Sequence, residues 1–164
     1  MKYANESDLV TGAGSAIHGG RWNPRGLRAI YGSLDVITAV KESYQLLAAF
    51  GFTGGVKPRV IAGAQVKVRR VLDLKDAQTL EQLGFTERDL VEEDWRSIQY
   101  SGQESWTQAI AKAAVKAGFE AVRAPSAQNS EGVNFVIYPD HLLKGSFVLA
   151  AHPHELPPHP SRWK

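Results

Sequence analysis

The sequence contains no cysteine. This absence excludes disulfide bonds, zinc sites built on thiolates and a cysteine nucleophile, and it is consistent with a reducing compartment. No apolar run approaches the roughly 20 residues that a membrane-spanning helix needs. The N-terminal stretch MKYANESDLVTGAG lacks the apolar core of a signal peptide. We therefore expect a cytoplasmic protein with no membrane partner.

The chain also lacks a strong charge of either sign. Its 164 residues carry 19 basic and 17 acidic side chains, a formal net charge of +2. A dedicated nucleic-acid-binding protein usually concentrates basic residues on one surface, so we expect no direct contact with nucleic acid. No repeat or linker divides the sequence, and its length suits one domain with a real core. We predict a single domain over residues 1–164, with a proline-rich tail from about residue 152.

Several familiar catalytic signatures are missing. The sequence has no GxSxG elbow, no HExxH helix and no Gly-Lys-Ser/Thr phosphate loop. The glycines at 12 and 14 are not followed by the third glycine of a dinucleotide-binding fingerprint. Three histidines, at 152, 154 and 159, fall in the tail, which we interpret as an extended segment. We predict no metal site.

Hydrophobic and capping patterns predict a mixed order of strands and helices. Residues 27–33 (LRAIYGS) have the composition of a short strand, and Ser33 can cap a helix that runs to about residue 50. Capping boxes are indicated at two further helix starts: Thr86 with Asp89, and Ser105 with Gln108. Further strands are predicted within 59–74, 119–125, 133–139 and 145–151. Because this order does not alternate strictly, it favours an α+β fold.

The segment HGGRWNPRG (18–26) places a tryptophan, an asparagine and two arginines in a loop whose glycines let the backbone approach a ligand. Arg21 and Arg25 can grip a phosphate, or they can lie on the surface above a tryptophan that packs into the core. Trp22 and Tyr31 can likewise fill the core or present a flat surface to a heteroaromatic ring. The residues by themselves leave both interpretations open.

Three polar residues farther along the chain are candidates for a site. Glu42 falls at the edge of the apolar face of its predicted helix, and no basic residue three or four positions away can pair with it. Such a glutamate is either a solvated edge residue or a group that faces a cleft and stabilises a cation. Ser126 lies in a predicted loop, where serine commonly forms turns. Asn134 lies inside a predicted strand, where asparagine is depleted.

Taken together, these motifs resemble the RES domain family, which is named for an arginine, a glutamate and a serine. The stretch GGRWNPRGLRAIYGSLDVITAVKE (19–42) is similar to the family's opening motif of GGRWN, a strand ending in tyrosine-x-serine, and a helix that carries alanine and glutamate. Residues 106–139 resemble a second family block, with proline-serine-alanine at 125–127 and an asparagine at 134. The match extends from Gly12 to about Pro139.

This resemblance implies a fold similar to ADP-ribosyltransferase toxins, an α+β domain whose split β-sheet core with flanking helices holds NAD+ in a cleft. It also implies the toxin of a toxin–antitoxin system, paired with an Xre-type helix-turn-helix antitoxin. Such a toxin consumes NAD+ as a substrate and needs no cofactor. It cleaves the nicotinamide–ribose bond by hydrolysis, by phosphorolysis or by transfer of ADP-ribose to an acceptor protein.

The resemblance further implies roles for individual residues. Glu42 would stabilise the oxocarbenium character that develops at the ribose. Arg21 would hold the pyrophosphate or the ribose, and Tyr31 would stack against the nicotinamide or its ribose. The residues expected to be catalytic are Arg21, Tyr31, Glu42 and Ser126. The residues expected to bind NAD+ are Arg21, Trp22, Asn23, Tyr31, Ser126 and Asn134.

The sequence leaves two other functions open. One is a catalytically inactive RES-fold module that acts by binding another protein. The other is a nuclease toxin that uses Arg21, Arg25 and the tail histidines. The near-neutral charge of the chain argues against the nuclease.

Overall fold

The computed structural model describes residues 9–49 and 60–156. The helices are α1 (Ala13–His18), α2 (Val36–Ala49), α3 (Ala77–Leu83), α4 (Glu87–Glu92), α5 (Trp95–Tyr100) and α6 (Trp106–Lys116). The strands are β1 (Ile30–Ser33), β2 (Ala64–Lys67), β3 (Val71–Asp73), β4 (Ala121–Pro125), β5 (Val133–Ile137) and β6 (Phe147–Ala150). Short 3₁₀ turns lie at Pro139–His141 and Pro153–Glu155. No helix in the described part of the chain is both long and apolar enough to cross a membrane.

The strands form two separate sheets. The larger sheet has the order β1-β5-β4-β3, in which β3 and β4 run parallel and the other neighbours run antiparallel. Strands β2 and β6 pair antiparallel in a second sheet. The prediction of an α+β fold with a split sheet and flanking helices is therefore confirmed.

Both faces of the larger sheet are buried. Successive side chains of a strand point to opposite faces, and each set packs in its own core. On one face, Val122 and Val136 pack in a core with Leu90 and with apolar residues of α3 and α6. On the other face, Ala121 and Ile137 pack with Val148 of β6 and its neighbours. The larger sheet thus lies between a layer of helices and the second sheet.

A buried glutamate joins two of the three connections between the sheets. Glu120 lies just before β4 and is fully buried. Its Oε2 accepts hydrogen bonds from the backbone N–H groups of Arg69 (2.6 Å) and Arg70 (2.9 Å), which lie between β2 and β3. Its Oε1 accepts from the N–H of Leu143 (2.7 Å), between β5 and β6. One carboxylate therefore fixes two of the three connections between the sheets, the one from β2 to β3 and the one from β5 to β6.

Helix α2 begins later than the sequence predicts, and the prediction that Ser33 caps it is wrong. The helix starts at Val36, and the Asp35 carboxylate accepts a hydrogen bond from the N–H of Thr38 at 2.8 Å. Ser33 is still paired in β1, opposite Asn134 of β5. Strand pairing therefore takes Ser33 away from the helix end and leaves the cap to Asp35.

The other capping predictions have mixed outcomes. The Thr86–Asp89 capping box at α4 is confirmed. Ser105 does cap α6, accepting from the N–H of Gln108 at 3.3 Å, but the Gln108 side chain does not reach back to complete a box. Helices α1 and α5 were not predicted. For α5 a signal was present, because the Asp94 side chain accepts from the N–H of Ser97 at 3.2 Å in a standard cap spacing.

Candidate active site

Glu42 on α2 is held by two side chains from a distant part of the sequence. Ser126 Oγ donates a hydrogen bond to Glu42 Oε1 at 2.6 Å, and Asn134 Nδ2 donates to the same oxygen at 2.6 Å. Among the side chains that the structure describes, those of residues 9–44 and 60–156, none forms a hydrogen bond with the second oxygen, Oε2. The structure thus brings three predicted site residues together and leaves one carboxylate oxygen of Glu42 unpaired.

The β4–β5 hairpin places Ser126 and Asn134 at the same end of the larger sheet. Asn134 is paired with Ala124, and Ser126 follows two residues later. Ser126 is only 5% exposed, and its Oγ accepts hydrogen bonds from the N–H groups of Gln128 and Asn129 at 3.1 Å each. Because these donors occupy the lone pairs of the hydroxyl, its proton is directed to the carboxylate of the glutamate.

The loop 126–132 is fastened to the first turn of α2. Thr38 is fully buried there. Its hydroxyl donates to Asp35 Oδ2 at 2.6 Å and accepts from Asn129 Nδ2 at 2.8 Å. Gly132 packs against the same threonine so closely that a Cβ atom would overlap its side chain. These contacts fix the distance between the loop that carries the serine and the helix that carries the glutamate.

Arg21 lies near Glu42 but is anchored to a helix end. Its Nη1 donates to the carbonyl oxygens of Leu90 (2.6 Å) and Glu93 (3.2 Å) at the C-terminal end of α4, where a cation is favourable. Burial lowers the pKa of Arg21, while the carboxylates of Glu93 and Glu42 act to raise it. Among the described residues, no acceptor takes a hydrogen bond from Nε or Nη2. That side of the guanidinium remains available to an anion.

Tyr31 offers part of its ring while its hydroxyl is held. The side chain is 44% exposed, yet the hydroxyl accepts from the N–H of Trp22 at 2.9 Å and donates to Asn23 Oδ1 at 2.7 Å. Burial of the hydroxyl raises the pKa of Tyr31 well above its usual range, and nearby Arg21 only partly offsets this. The phenol is therefore neutral and fixed, with a ring surface against which a flat group can stack.

Trp22 and Asn23 are buried and hold the hydroxyl of Tyr31, which corrects the prediction that they contact NAD+. Trp22 is 2% exposed and belongs to the main core. Asn23 is fully buried, and its Nδ2 donates to the carbonyl oxygens of Ser15 and Leu27 at 2.9 Å each. Its Oδ1 is occupied by the hydroxyl of Tyr31. Side chains without exposed surface cannot stack on a ligand or bind it.

The two glycines before Arg21 serve the packing of the loop itself. Gly19 has a φ of 74°, which favours glycine, and Gln99 fills the space beside it. At Gly20, a Cβ atom would overlap the hydroxyl of Tyr31. At both positions protein side chains occupy the space where a Cβ atom would lie. That these glycines let the backbone approach a ligand stays a prediction.

Gln108 is a supporting residue that the sequence reasoning missed. It is 1% exposed, and its Nε2 donates to the carbonyl oxygen of Gly20 at 3.0 Å and to Gln99 Oε1 at 2.9 Å. These bonds connect α6 to the loop that carries Arg21. A glutamine on the buried face of a helix must find a hydrogen-bond partner, and that signal could have revealed it.

Arg25 and the tail histidines lie outside the Glu42 cluster, which consists of Glu42, Ser126 and Asn134. Arg25 is exposed and makes no hydrogen bond or ion pair within the described ranges. His152, His154 and Glu155 are exposed and lie close together, with one potential ligand atom of each within 4.8 Å of the others. No hydrogen bond connects these three to the cluster in the described part of the chain. His159 lies outside the described residues.

Comparisons with known proteins agree with this architecture. A family model described as RES domain matches residues 2–158. Among solved structures, the chain is similar to a chain in the crystal structure of the M. tuberculosis MbcT-MbcA toxin-antitoxin complex, with a TM-score of 0.61 and 22% sequence identity. That alignment covers 94% of this chain and 83% of the other. At this identity the likeness shows the fold. No curated protein sequence matches the chain at a significant level.

Proposed function

The chain belongs to the RES domain family, and from that premise we propose that it is the toxin of a toxin–antitoxin system that consumes NAD+. The reaction breaks the bond between the nicotinamide nitrogen and the ribose carbon. Its electron pair leaves with nicotinamide, and the ribose carbon gains oxocarbenium character before water, phosphate or a protein side chain attacks it. NAD+ is the substrate, and the reaction requires no resident cofactor.

The observation that carries this proposal is the state of the Glu42 carboxylate. Two short hydrogen bonds to Oε1 fix the group, while Oε2 has no partner among the described residues. A fixed carboxylate with one unpaired oxygen suits a developing positive charge, because it need not reorganise when the charge forms. It also suits the orientation of an attacking nucleophile.

Arg21 and Tyr31 supply two further functions that such a substrate needs. The unpaired Nε and Nη2 groups of Arg21 suit a pyrophosphate oxygen. The exposed ring of Tyr31 suits stacking against nicotinamide. Ser126 and Asn134 both direct their donors to Glu42, so we assign them to holding the carboxylate rather than to holding NAD+.

The direct test is consumption of NAD+ by the purified protein, followed as release of nicotinamide with and without phosphate. Replacing Arg21 with lysine keeps a charge but loses the planar fork, so we expect a roughly tenfold or larger fall in kcat/KM. Arg25→Lys, at an exposed arginine in the same loop, should behave as the wild type. No binding and no turnover of NAD+ by the wild-type protein would contradict the proposed function.

Exposed apolar residues at the start of α2, the helix that carries Glu42, support a protein partner, which we propose to be the antitoxin. Leu34, Val36 and Ile37 are exposed by 60%, 60% and 65% at the start of α2. A patch of exposed apolar residues commonly marks a protein-binding surface. The same patch would serve the alternative function, an inactive RES-fold binding module, which differs in leaving NAD+ intact.

We expect Ile37→Asp to weaken binding of the cognate helix-turn-helix antitoxin by roughly tenfold or more, because a charge would be buried in the interface. NAD+ turnover of the free protein should be unchanged. Calorimetric titration with the protein encoded by the neighbouring reading frame checks this. Ile61→Asp, at an isoleucine that is 55% exposed but outside the patch, is the control. Equal affinity of both variants would place the antitoxin on another surface.

A further inference from the structure

We propose that Ser33 is a positioning residue for the reaction: through the carboxamide of Asn134 it fixes the carboxylate of Glu42, so that Oε2 faces the substrate. This inference rests on the proposed function for its kinetic consequence. The contacts that support it link residues from three separate parts of the chain.

The two ends of the Asn134 carboxamide have different partners. Ser33 Oγ donates to Asn134 Oδ1 at 2.8 Å, and Asn134 Nδ2 donates to Glu42 Oε1 at 2.6 Å. A carboxylate can only accept hydrogen bonds, so the NH₂ end of the amide must face the glutamate. A hydroxyl can donate, so Ser33 satisfies the carbonyl end and completes a chain of donors that runs toward the glutamate.

Strand pairing places the serine where this bond can form. Ser33 and Asn134 are partners in the β1–β5 ladder. The ladder continues one residue further, because the N–H of Leu34 donates to the carbonyl oxygen of Val133 at 2.9 Å. Asp35 caps α2 in place of the serine, which leaves the serine hydroxyl free for the amide. The sheet therefore holds Ser33 directly opposite the amide that it orients.

The consequence is a carboxylate fixed from two directions. Ser126 approaches Glu42 Oε1 from the loop after β4, and Asn134 approaches the same oxygen from β5. Without the hydroxyl of Ser33, the carbonyl end of the amide loses its donor and the amide can rotate away from the carboxylate. Glu42 would then keep only the hydrogen bond from Ser126, and the orientation of Oε2 would no longer be fixed.

Kinetics provide the first test. We expect Ser33→Ala to lower kcat for NAD+ consumption roughly tenfold, the effect of one positioned hydrogen bond, with KM little changed. Ser33→Thr keeps the hydroxyl and should restore most of kcat, whereas Ser33→Val has nearly the shape of threonine without it and should not. Ser43→Ala is the matched control, because the Ser43 hydroxyl donates to the carbonyl oxygen of Val40 on α2, at 2.8 Å, and has no bond to Glu42 or Asn134 among the described contacts. Equal kcat for the threonine and valine variants would overturn the proposal.

The second test does not depend on activity. In ¹⁵N-labelled protein, the side-chain NH₂ resonances of Asn134 report its bond to Glu42. We expect them to shift in Ser33→Val and to stay close to the wild-type positions in Ser33→Thr and Ser43→Ala. Unchanged resonances in Ser33→Val would overturn the positioning role. If the resonances shift in Ser33→Val but the wild-type protein neither binds nor consumes NAD+, the orienting contact stands and the proposed function is rejected.

Discussion

Replacing Glu42 with glutamine should lower NAD+ turnover by roughly a hundredfold or more and leave the fold intact. Glutamine has the shape of glutamate, and its Oε1 can still accept from Ser126 and Asn134. What it loses is the negative charge at the second oxygen, which then becomes an NH₂ group. The variant therefore preserves the geometry of the cluster and removes its ability to stabilise a cation.

The measurement is kcat for nicotinamide release, together with the melting temperature and the affinity for NAD+ of the same samples. Glu131→Gln, at an exposed position of the loop 126–132, serves as the control for a neutralised glutamate. We expect NAD+ binding to change far less than turnover, because the charge matters most in the transition state. A Glu42→Gln variant with wild-type kcat would remove this residue from the chemistry.

Local patterns predicted the elements that depend on local interactions. The Thr86–Asp89 spacing was enough to predict a helix start, since both bonds of a capping box lie within four residues. The segments FEAVRAP and VNFVIYP, before and after residue 126, were likewise predicted as strands, and they contain β4 and β5. In each case the physical cause lies inside the segment itself, so no knowledge of the rest of the chain was needed.

Long-range partners decided the places where local reasoning failed. Ser33 and Asp35 are both good caps, and only the pairing of β1 with β5 determines which one is used. Trp22 could fill the core or face a ligand, and in the folded chain it packs in the main core. The resemblance named Glu42, Ser126 and Asn134 as site residues. That the second and third donate to the first follows only from the folded chain, which brings together residues 84 and 92 positions apart.

Glu120 is the clearest example of a residue whose long-range partners the sequence does not predict. In the sequence it is one acidic residue within a predicted strand segment, FEAVRAP, and no motif indicates its partners. Its partners are backbone N–H groups from two of the three connections between the sheets. Every residue except proline has a backbone N–H group, so residue types do not show which of these groups will bind the carboxylate. No sequence pattern could therefore have predicted this contact.

We expect Glu120→Gln to lower the free energy of unfolding at pH 7 by roughly 2 to 4 kcal/mol. Burial acts to raise the pKa of Glu120, but the nearby Ser146 hydroxyl and three backbone N–H donors outweigh it and lower the pKa to about 2. A glutamine would turn its NH₂ group toward at least one of those donors and leave that donor buried without an acceptor. For a domain of this size, such a loss lowers the melting temperature by roughly 5 to 15 °C.

The pH dependence distinguishes loss of this charge from a general packing defect. Because the pKa of Glu120 is about 2 in the folded protein and 4.5 is its ordinary value, its stabilising effect is complete above pH 4.5 and is lost as the pH falls toward 2. The difference in unfolding free energy between wild type and Glu120→Gln should therefore be constant near neutrality and shrink between those limits. Urea titrations at pH 7, 4.5 and 3 measure it, with Glu81→Gln as the exposed control. A difference that does not shrink at pH 3 would mean that packing, and not the carboxylate charge, fixes the β2–β3 and β5–β6 connections.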